Sequence, residues 1–395
     1  MKAGWELKRL GDFCAFDKTQ GIHSNLPYVG LEHIESGTGQ YLGNLEPTDV
    51  KSSTFKFNDS HVLYGRLRPY LNKVLLPDFE GHCSTEIFPI QIKPGLLREY
   101  LGHWLMSESV VESINATCTG ARMPRADMNE VLEFNIPVPS EEQQRRIVTL
   151  LDEAFADIAT AKANAEKNLQ NARGLFASRM QTLFDEDQRW ERVQLEELLS
   201  RGWIESHLDG NHGSDYPRKE EFVASGVPYI AARALRGWEV DFSEAKYLTH
   251  ERAATIRKGL AQDGDVLFAH NATVGPVGIL KTNEPFVILG TSLTYYRCNE
   301  NFILPEYLAH YMRSPAFVDQ YSQVMKQSTR NQVPITKQRE FFHVIPPLSI
   351  QQKIANDLDN LSEKIELLES IYRQKLTALD DLKKSLLHQA FSGQL

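Results

Sequence analysis

An internal repeat constrains the fold of this chain more than any other feature of its sequence. The run WELKRLGDF at Trp5 returns as WERVQLEEL at Trp190, and VPSEEQQRRI at 138–147 returns as IPPLSIQQKI at 345–354. From Ile147 onward the two copies keep an offset of 207 residues. A chain of 395 residues with such self-similarity is predicted to fold as two related halves.

Each copy reads as a variable globular unit followed by one long helix. The globular units carry short runs of β-branched and aromatic residues punctuated by glycine, proline, asparagine and aspartate, together with helical stretches, which predicts an α+β class. The second copy is longer, and the extra residues precede its helix. The expected division places globular unit one at 1–139 and long helix one at 140–184, followed by globular unit two at 185–345 and long helix two at 346–395.

The two long helices are predicted from proline placement and a heptad seam. Pro139 and Pro346 precede stretches that contain no further proline up to Phe184 and Phe391. Apolar residues follow 4-3 spacing in the same register in both copies, which is typical of a coiled coil. Asn168 and Lys375 interrupt the seam at equivalent places. The predicted core residues are Ile147, Leu151, Ile158, Ile354, Leu358, Leu361, Ile365, Leu368, Tyr372 and Leu379.

Connectivity predicts that the helices pair antiparallel with each other, since unit two lies between them and must bring the chain back. Small alanines in the first helix would allow close approach to the larger apolar residues of the second. The alternative is that each helix packs only on its own unit. Pairing is favoured because the seam would otherwise expose a long apolar surface. Two units on a paired helical spacer suggest a molecular ruler.

Composition excludes several classes of protein. Four cysteines lie far apart without a C-x-x-C motif, which excludes a zinc ribbon and favours a reducing compartment. The amino terminus has no apolar core of a signal peptide, and no run of eighteen apolar residues occurs. A soluble, cytoplasmic protein without a membrane partner is therefore expected. The formal net charge of −9 means that any nucleic-acid surface must be local.

No catalytic motif is present. The sequence lacks a phosphate-binding G-x-x-x-x-G-K loop, an H-E-x-x-H zinc motif, a G-x-S-x-G elbow and the [ND]-P-P-aromatic tetrapeptide of adenine methyltransferases. His207 and His212 form the nearest approach to a metal site, although an ordinary surface loop explains them better. The expectation is a chain without catalytic residues, metal or cofactor of its own.

Several loops mix arginine, asparagine and tyrosine in the way that DNA-reading surfaces do, because arginine suits guanine edges, asparagine suits adenine, and both grip phosphate. The densest is the segment 64–73, and its counterpart in the second copy, 268–278, carries different polar residues. On composition alone a solvated hairpin explains 64–73 equally well, and a charged residue in the other loops is by itself more often a surface charge than a base reader. The candidates are Tyr64, Arg66, Arg68, Tyr70, Asn72, Lys73, Arg122, Arg125, Arg233, Arg236, His270, Asn271, Thr273, Arg330 and Asn331.

In combination these motifs resemble the specificity subunit of type I restriction–modification systems. The resemblance covers essentially the whole chain and is carried by 138–152, 345–359, 64–73 and the ending LLHQAFSGQL. It implies two target-recognition domains that each read half of a split, asymmetric site on double-stranded DNA. It also implies an antiparallel coiled coil that sets the gap and docks two methyltransferase subunits.

The resemblance further implies partners that carry the chemistry. The methyltransferase subunits would bring S-adenosylmethionine and methylate adenine, and two restriction (translocase) subunits would complete a nuclease. The competing hypothesis is a coiled-coil scaffold with two protein-binding heads. A symmetric scaffold would not need different side chains at equivalent loops, which favours DNA recognition. A fragment of a fused restriction–methylation enzyme is a third hypothesis, disfavoured by the absent catalytic motifs.

Overall fold

The computed structural model describes residues 5–17, 19–120, 122–185, 190–213, 216–327 and 330–395. Two helices of 45 residues dominate it, the first long helix Glu141–Asp185 and the second long helix Leu348–Ser392. Around them lie short strands and shorter helices, so the class is α+β as predicted. None of the described helices is both long enough and apolar enough to cross a membrane.

The chain divides into two compact units. Unit 1 contains Met1–Lys167 together with Tyr372–Leu395, and unit 2 contains Asn168–Ile371. Each unit therefore takes one part of both long helices. The four-segment division expected from the sequence follows chain order, whereas these units follow spatial contact.

Unit 1 is built on two four-stranded sheets and a two-stranded ladder. The ladder pairs Glu6–Arg9 with Asn135–Val138, so the repeat motif at Trp5 lies beside the start of the first long helix. The helices are Leu10–Phe13, Leu31–His33, Pro69–Leu71, Arg98–Met106, Glu108–Ala116 and Met128–Leu132. The strands are Glu6–Arg9, Cys14–Phe16, Gln20–Gly21, Tyr28–Val29, Thr54–Phe57, His61–Gly65, Val74–Leu75, Gly81–Cys83, Ile87–Ile92 and Asn135–Val138.

Unit 2 repeats this plan with larger sheets, one of four strands and one of five, and two two-stranded ladders. Glu191–Gln194 pairs with Phe342–Ile345, as the corresponding strands do in unit 1. The helices are Leu195–Ser200, Lys219–Glu221, Ala232–Ala234, Phe242–Glu244, His250–Ala254, Pro305–Tyr311, Pro315–Lys326 and Ile335–Gln338. The strands are Glu191–Gln194, Ile204–Asp209, Phe222–Val223, Val227–Ile230, Leu235–Arg236, Glu239–Val240, Lys246–Leu248, Leu260–Ala261, Val266–Asn271, Thr273–Ile279, Val287–Leu289, Leu293–Cys298 and Phe342–Ile345.

A buried glutamine ties each long helix to its globular part. Gln351 is fully buried, and its amide nitrogen donates to the carbonyl oxygens of Phe302 and Pro346, each at 2.8 Å. Its amide oxygen accepts from the backbone nitrogen of Leu304 at 2.9 Å. Gln144 makes the same three bonds in unit 1. One glutamine of each Gln-Gln pair, Gln144 and Gln351 at the offset of 207, is thus a structural anchor.

Replacing Gln351 with alanine should lower the free energy of unfolding of unit 2 by about 2–4 kcal/mol, because three buried backbone groups lose their partner. The adjacent Gln352 is exposed and bonds only to Asn356, so Gln352→Ala should change stability by less than about 0.5 kcal/mol. Urea denaturation of the two variants measures the difference. Equal midpoints would refute the anchoring role.

The antiparallel arrangement is visible within unit 2, where Arg173 pairs with Glu369 and Arg179 with Asp357. The partner number falls as the number in the first helix rises, as antiparallel helices require. In unit 1, Lys162 pairs with Asp380 at 2.8 Å.

The seam of the helices departs from the predicted register in its second part. Ile147, Leu151, Ile158, Ile354, Leu358 and Ile365 are buried, and Leu361, Tyr372 and Leu379 are half-buried. Leu368 was predicted in the core, but 40% of its surface is exposed. A straight helix drifts by about 20° per heptad, so position 369 replaces 368 on the inner face. Glu369 lies there and binds Arg173 at 2.7 Å.

Candidate nucleic-acid interface

Two of the loops chosen from the sequence lie side by side in unit 1. The strand His61–Gly65 ends at the segment 66–68, which pairs with the loop before the long helix. Arg68 N donates to the carbonyl oxygen of Pro124 at 2.8 Å, and Ala126 N donates to that of Arg66 at 2.9 Å. Leu67 and Arg125 form an antiparallel bridge between these bonds. We name this pair of segments, 66–68 with 124–126, the first zipper.

Unit 2 contains the same backbone arrangement, formed by 270–272 with 331–333 and named the second zipper. Ala272 N donates to the carbonyl oxygen of Asn331 at 2.9 Å, and Val333 N donates to that of His270 at 2.8 Å. Asn271 and Gln332 form the antiparallel bridge. Arg68 and Ala272 occupy the left-handed region at equivalent places, with φ of +53° and +65°. The two units therefore offer one backbone with different side chains.

The first zipper carries a charged cluster that the sequence analysis missed in part. Arg125 and Arg66 both bind Glu86, through Nη2 to Oε1 at 2.7 Å and Nε to Oε2 at 3.3 Å. Burial opposes the charged form of Glu86, but the hydrogen bonds and charges of the two arginines outweigh it and lower the pKa of this carboxyl. Two cations and one anion leave the cluster positive.

Three residues of the segment 64–73 hold the protein together instead of facing outward. Tyr64 is buried with 1% exposure, so its predicted contact with DNA is wrong. Lys73 Nζ donates to the carbonyl oxygens of Leu31 and Ile34 at 2.7 and 2.8 Å. Asn72 Nδ2 donates to the Met106 oxygen at 2.9 Å. These bonds turn the Lys73 ammonium and the Asn72 amide toward their own chain.

Unit 2 requires a similar correction. His270 is buried with 4% exposure, and its Nδ1 lies 3.0 Å from the carbonyl oxygen of Val333. Asn331 Nδ2 donates to the carbonyl oxygen of Ala272 at 2.6 Å, which braces the second zipper. Arg233 and Arg236 are exposed, and both bind Glu244 beside the small ladder that contains Arg236; their predicted contact with DNA stays a prediction.

The remaining candidates reach the surface. Asn271 is half-buried on the bridge of the second zipper. The exposed candidates are Arg68, Tyr70, Arg122, Arg233, Arg236, Thr273, Arg330 and Asn331.

His207 and His212 do not come together as a metal site. His207 is 2% exposed, with Nε2 at 3.1 Å from the Gln338 side-chain oxygen, whereas His212 is exposed and meets the carbonyl oxygen of Gly210. In the part of the chain that the structure describes, no three metal-binding side chains converge. Burial lowers the pKa of His207 to about 3 and that of His343 to about 4.

These depressed histidine pKa values predict an acid-labile unit 2. Both imidazoles are neutral in the fold, whereas in the unfolded chain they titrate near pH 6.5. Their contribution to the free energy of unfolding is therefore fully present above pH 6.5 and is lost as the pH falls below it. The expected loss is of the order of 1–2 kcal/mol per histidine by pH 5. Hydrogen exchange of 293–298 between pH 7 and 5 measures it. His207→Gln should flatten the pH dependence, whereas the exposed His212→Gln should leave it unchanged.

Another repeat also escaped the sequence analysis, although its signal was present. LREYLGH at Leu97 matches LPEYLAH at Leu304 with the same offset of 207. Its histidines, His103 and His310, each place Nε2 2.8 Å from an aspartate of a long helix. This motif fixes the helix on the globular part in both units.

Comparison with known proteins places these features in a family. A family model described as "Type I restriction modification DNA specificity domain" matches 2–169 and 189–377. The Escherichia coli EcoDI specificity subunit is 26% identical over 42% of this chain and 36% of its own length. The EcoKI subunit of E. coli K12 is 23% identical over 79% and 69%. The chain thus spans little more than a third of EcoDI.

Two solved structures share the fold. A chain from a study of "complex assembly and conformational transition of the type I R-M system" superposes with a TM-score of 0.81 at 20% identity, and the match covers 100% of this chain and 99% of that one. The HsdS subunit from Thermoanaerobacter tengcongensis gives a TM-score of 0.66 at 19% identity, over 100% and 98%.

Proposed function

The chain belongs to the family of type I restriction modification DNA specificity domains, and we propose that it is the DNA-specificity subunit of a type I restriction–modification complex. Each unit reads one half of a split, asymmetric site on double-stranded DNA. The chain contributes recognition, and its partners contribute catalysis.

The two zippers carry this proposal. They match bond for bond in the backbone, yet the side chains that reach the surface are Arg66, Leu67 and Arg125 in one unit and Asn271 and Gln332 in the other. Sequence is read by side chains at base edges, while the backbone sets their position. One scaffold with two sets of side chains is what reading two different half-sites requires. A scaffold that binds one protein twice would need no such difference.

The partners follow from the family. Two methyltransferase subunits dock on the long helices and bring S-adenosylmethionine, and two restriction subunits join them in the nuclease. This division of labour agrees with a net charge of −9, because the methyltransferases then share the contacts to the DNA backbone. A cytoplasmic location fits this role.

Co-expression of the chain with the methyltransferase encoded beside it tests the proposal. Single-molecule sequencing should reveal methylated adenines in one split, asymmetric motif with a fixed gap. Unmodified DNA from cells in which the partner complex is formed and S-adenosylmethionine is present would contradict the proposal and favour a protein-binding scaffold.

A further inference from the structure

Glu86 holds the guanidinium of Arg125 in one orientation. Arg125 Nε donates to Glu86 Oε1 at 2.9 Å and lies 3.1 Å from Oε2, while Nη2 donates to Oε1 at 2.7 Å. Nη1 makes a long contact of 3.4 Å to the carbonyl oxygen of Met123. Glu86 therefore occupies the side of the guanidinium that faces its own chain.

A count of donors shows what this leaves available. An arginine side chain has five N–H groups in a planar fork. Glu86 takes the Nε hydrogen and one on Nη2, and Met123 takes one on Nη1. One hydrogen therefore remains on each terminal nitrogen, and the end of the planar fork places the two terminal nitrogens side by side. This pair matches the adjacent O6 and N7 acceptors of guanine in the major groove.

Glu86, which orients Arg125, is itself held in place by other residues. Arg66 binds the second oxygen of Glu86 and stacks over Phe88, with its guanidinium carbon 5.2 Å from the ring centroid. Arg66 N also donates to the Glu86 carbonyl oxygen at 2.9 Å. Glu86 is thus fixed from two sides, while the side chain of Arg125 stays 35% exposed. Glu86 therefore sets the orientation of the Arg125 guanidinium and leaves part of this guanidinium accessible to a base.

We propose that Arg125 reads a guanine in the half-site bound by unit 1 and that Glu86 is its positioning residue. This inference rests on the proposed function and names the base class read at one position. Gln332 takes the equivalent place on the second zipper, and the glutamine amide suits the N6 and N7 groups of adenine. At this position the half-site bound by unit 1 therefore has a guanine, and the half-site bound by unit 2 has an adenine.

Methylome sequencing of variants co-expressed with the methyltransferase tests the assignment. Arg125→Gln should reduce methylation of the native motif roughly ten- to hundredfold and replace guanine by adenine or by mixed bases at one position of one half-site. Arg125→Lys keeps the charge and loses the fork, so it should relax the same position. Glu86→Gln should relax it more weakly. The other half-site should not change in any of these variants.

Arg201→Gln is the matched control, since Arg201 also binds carboxylates, Glu191 and Glu197, but lies outside both zippers. It should leave the motif intact. Gln332→Arg is the reciprocal variant and should introduce guanine in the half-site of unit 2. Thermal melting will show whether the variants at Arg125 fold. Because Gln332→Arg alters the other unit, it tests the assignment even if they do not.

Each outcome decides the matter. A native motif without a G·C pair in the half-site of unit 1, or unchanged motifs in Arg125→Gln and Arg125→Lys, would overturn the inference while leaving the specificity role standing. Absence of any methylation by the native complex would instead remove the proposed function itself. A shift confined to the predicted half-site supports both.

Discussion

Insertion of four residues into each long helix is expected to abolish methylation at the native site and to move it to sites whose gap is one or two base pairs longer. The insertions belong between Lys167 and Asn168 and between Ile371 and Tyr372, where the compact units divide, so that neither core is disturbed. Four residues add about 6 Å and turn the helix by about 40° beyond a full turn. One base pair of DNA adds about 3.4 Å and about 35°.

A two-residue insertion at the same points is the control for rotation. It adds about 3 Å, close to one base pair, but turns the helix by about 200°, which no small change of gap can match. This variant should therefore methylate no split site. Methylome sequencing separates the cases. An unchanged gap in the four-residue variant would show that the long helices do not set the spacing.

The repeat and the helices could be predicted because they depend on periodic patterns. The helix starts after Pro139 and Pro346 agree with the observed first residues, Glu141 and Leu348. The exposed Leu368 was missed because a heptad template ignores the accumulated drift of a real helix. The error is one residue, but it exchanges a leucine for Glu369 on the inner face.

The candidate site was harder to predict because residues close together in one segment differ in their exposure to solvent. Tyr64 and Tyr70 lie in the same segment, yet the first lies within a buried strand and the second is 54% exposed. Composition carries no information on that difference once a strand ends and the alternation of its side chains stops. Glu86 escaped because its partners, Arg66 and Arg125, are distant in the sequence and only the fold brings them together.

Removal of Arg297 is expected to give the largest loss of stability among single substitutions in unit 2. Arg297 binds Asp265 through Nε at 2.9 Å and Nη2 at 2.8 Å, and the aspartate side chain is only 2% exposed. Arg297→Met would leave a buried carboxylate without its cation, at a cost of about 3–5 kcal/mol. Asp265 immediately precedes the strand Val266–Asn271, so the second zipper should loosen as well.

The pH dependence of this variant distinguishes an unpaired charge from lost packing. Burial already raises the pKa of Asp265 against the opposing effect of Arg297, and removal of Arg297 raises it further. A carboxyl whose pKa is raised in the fold destabilises the fold increasingly as the pH rises from the unfolded pKa to the raised one, so Arg297→Met should lose less stability at pH 5 than at pH 7 relative to the native chain.

Urea denaturation at both pH values measures this difference, with Arg201→Met as the surface control, expected to cost less than about 1 kcal/mol. The double variant Arg297→Met with Asp265→Asn should regain part of the loss, because no charge is then buried. A loss of equal size at both pH values, unrelieved in the double variant, would attribute the effect to the lost contact of the Arg297 guanidinium with the Tyr295 ring.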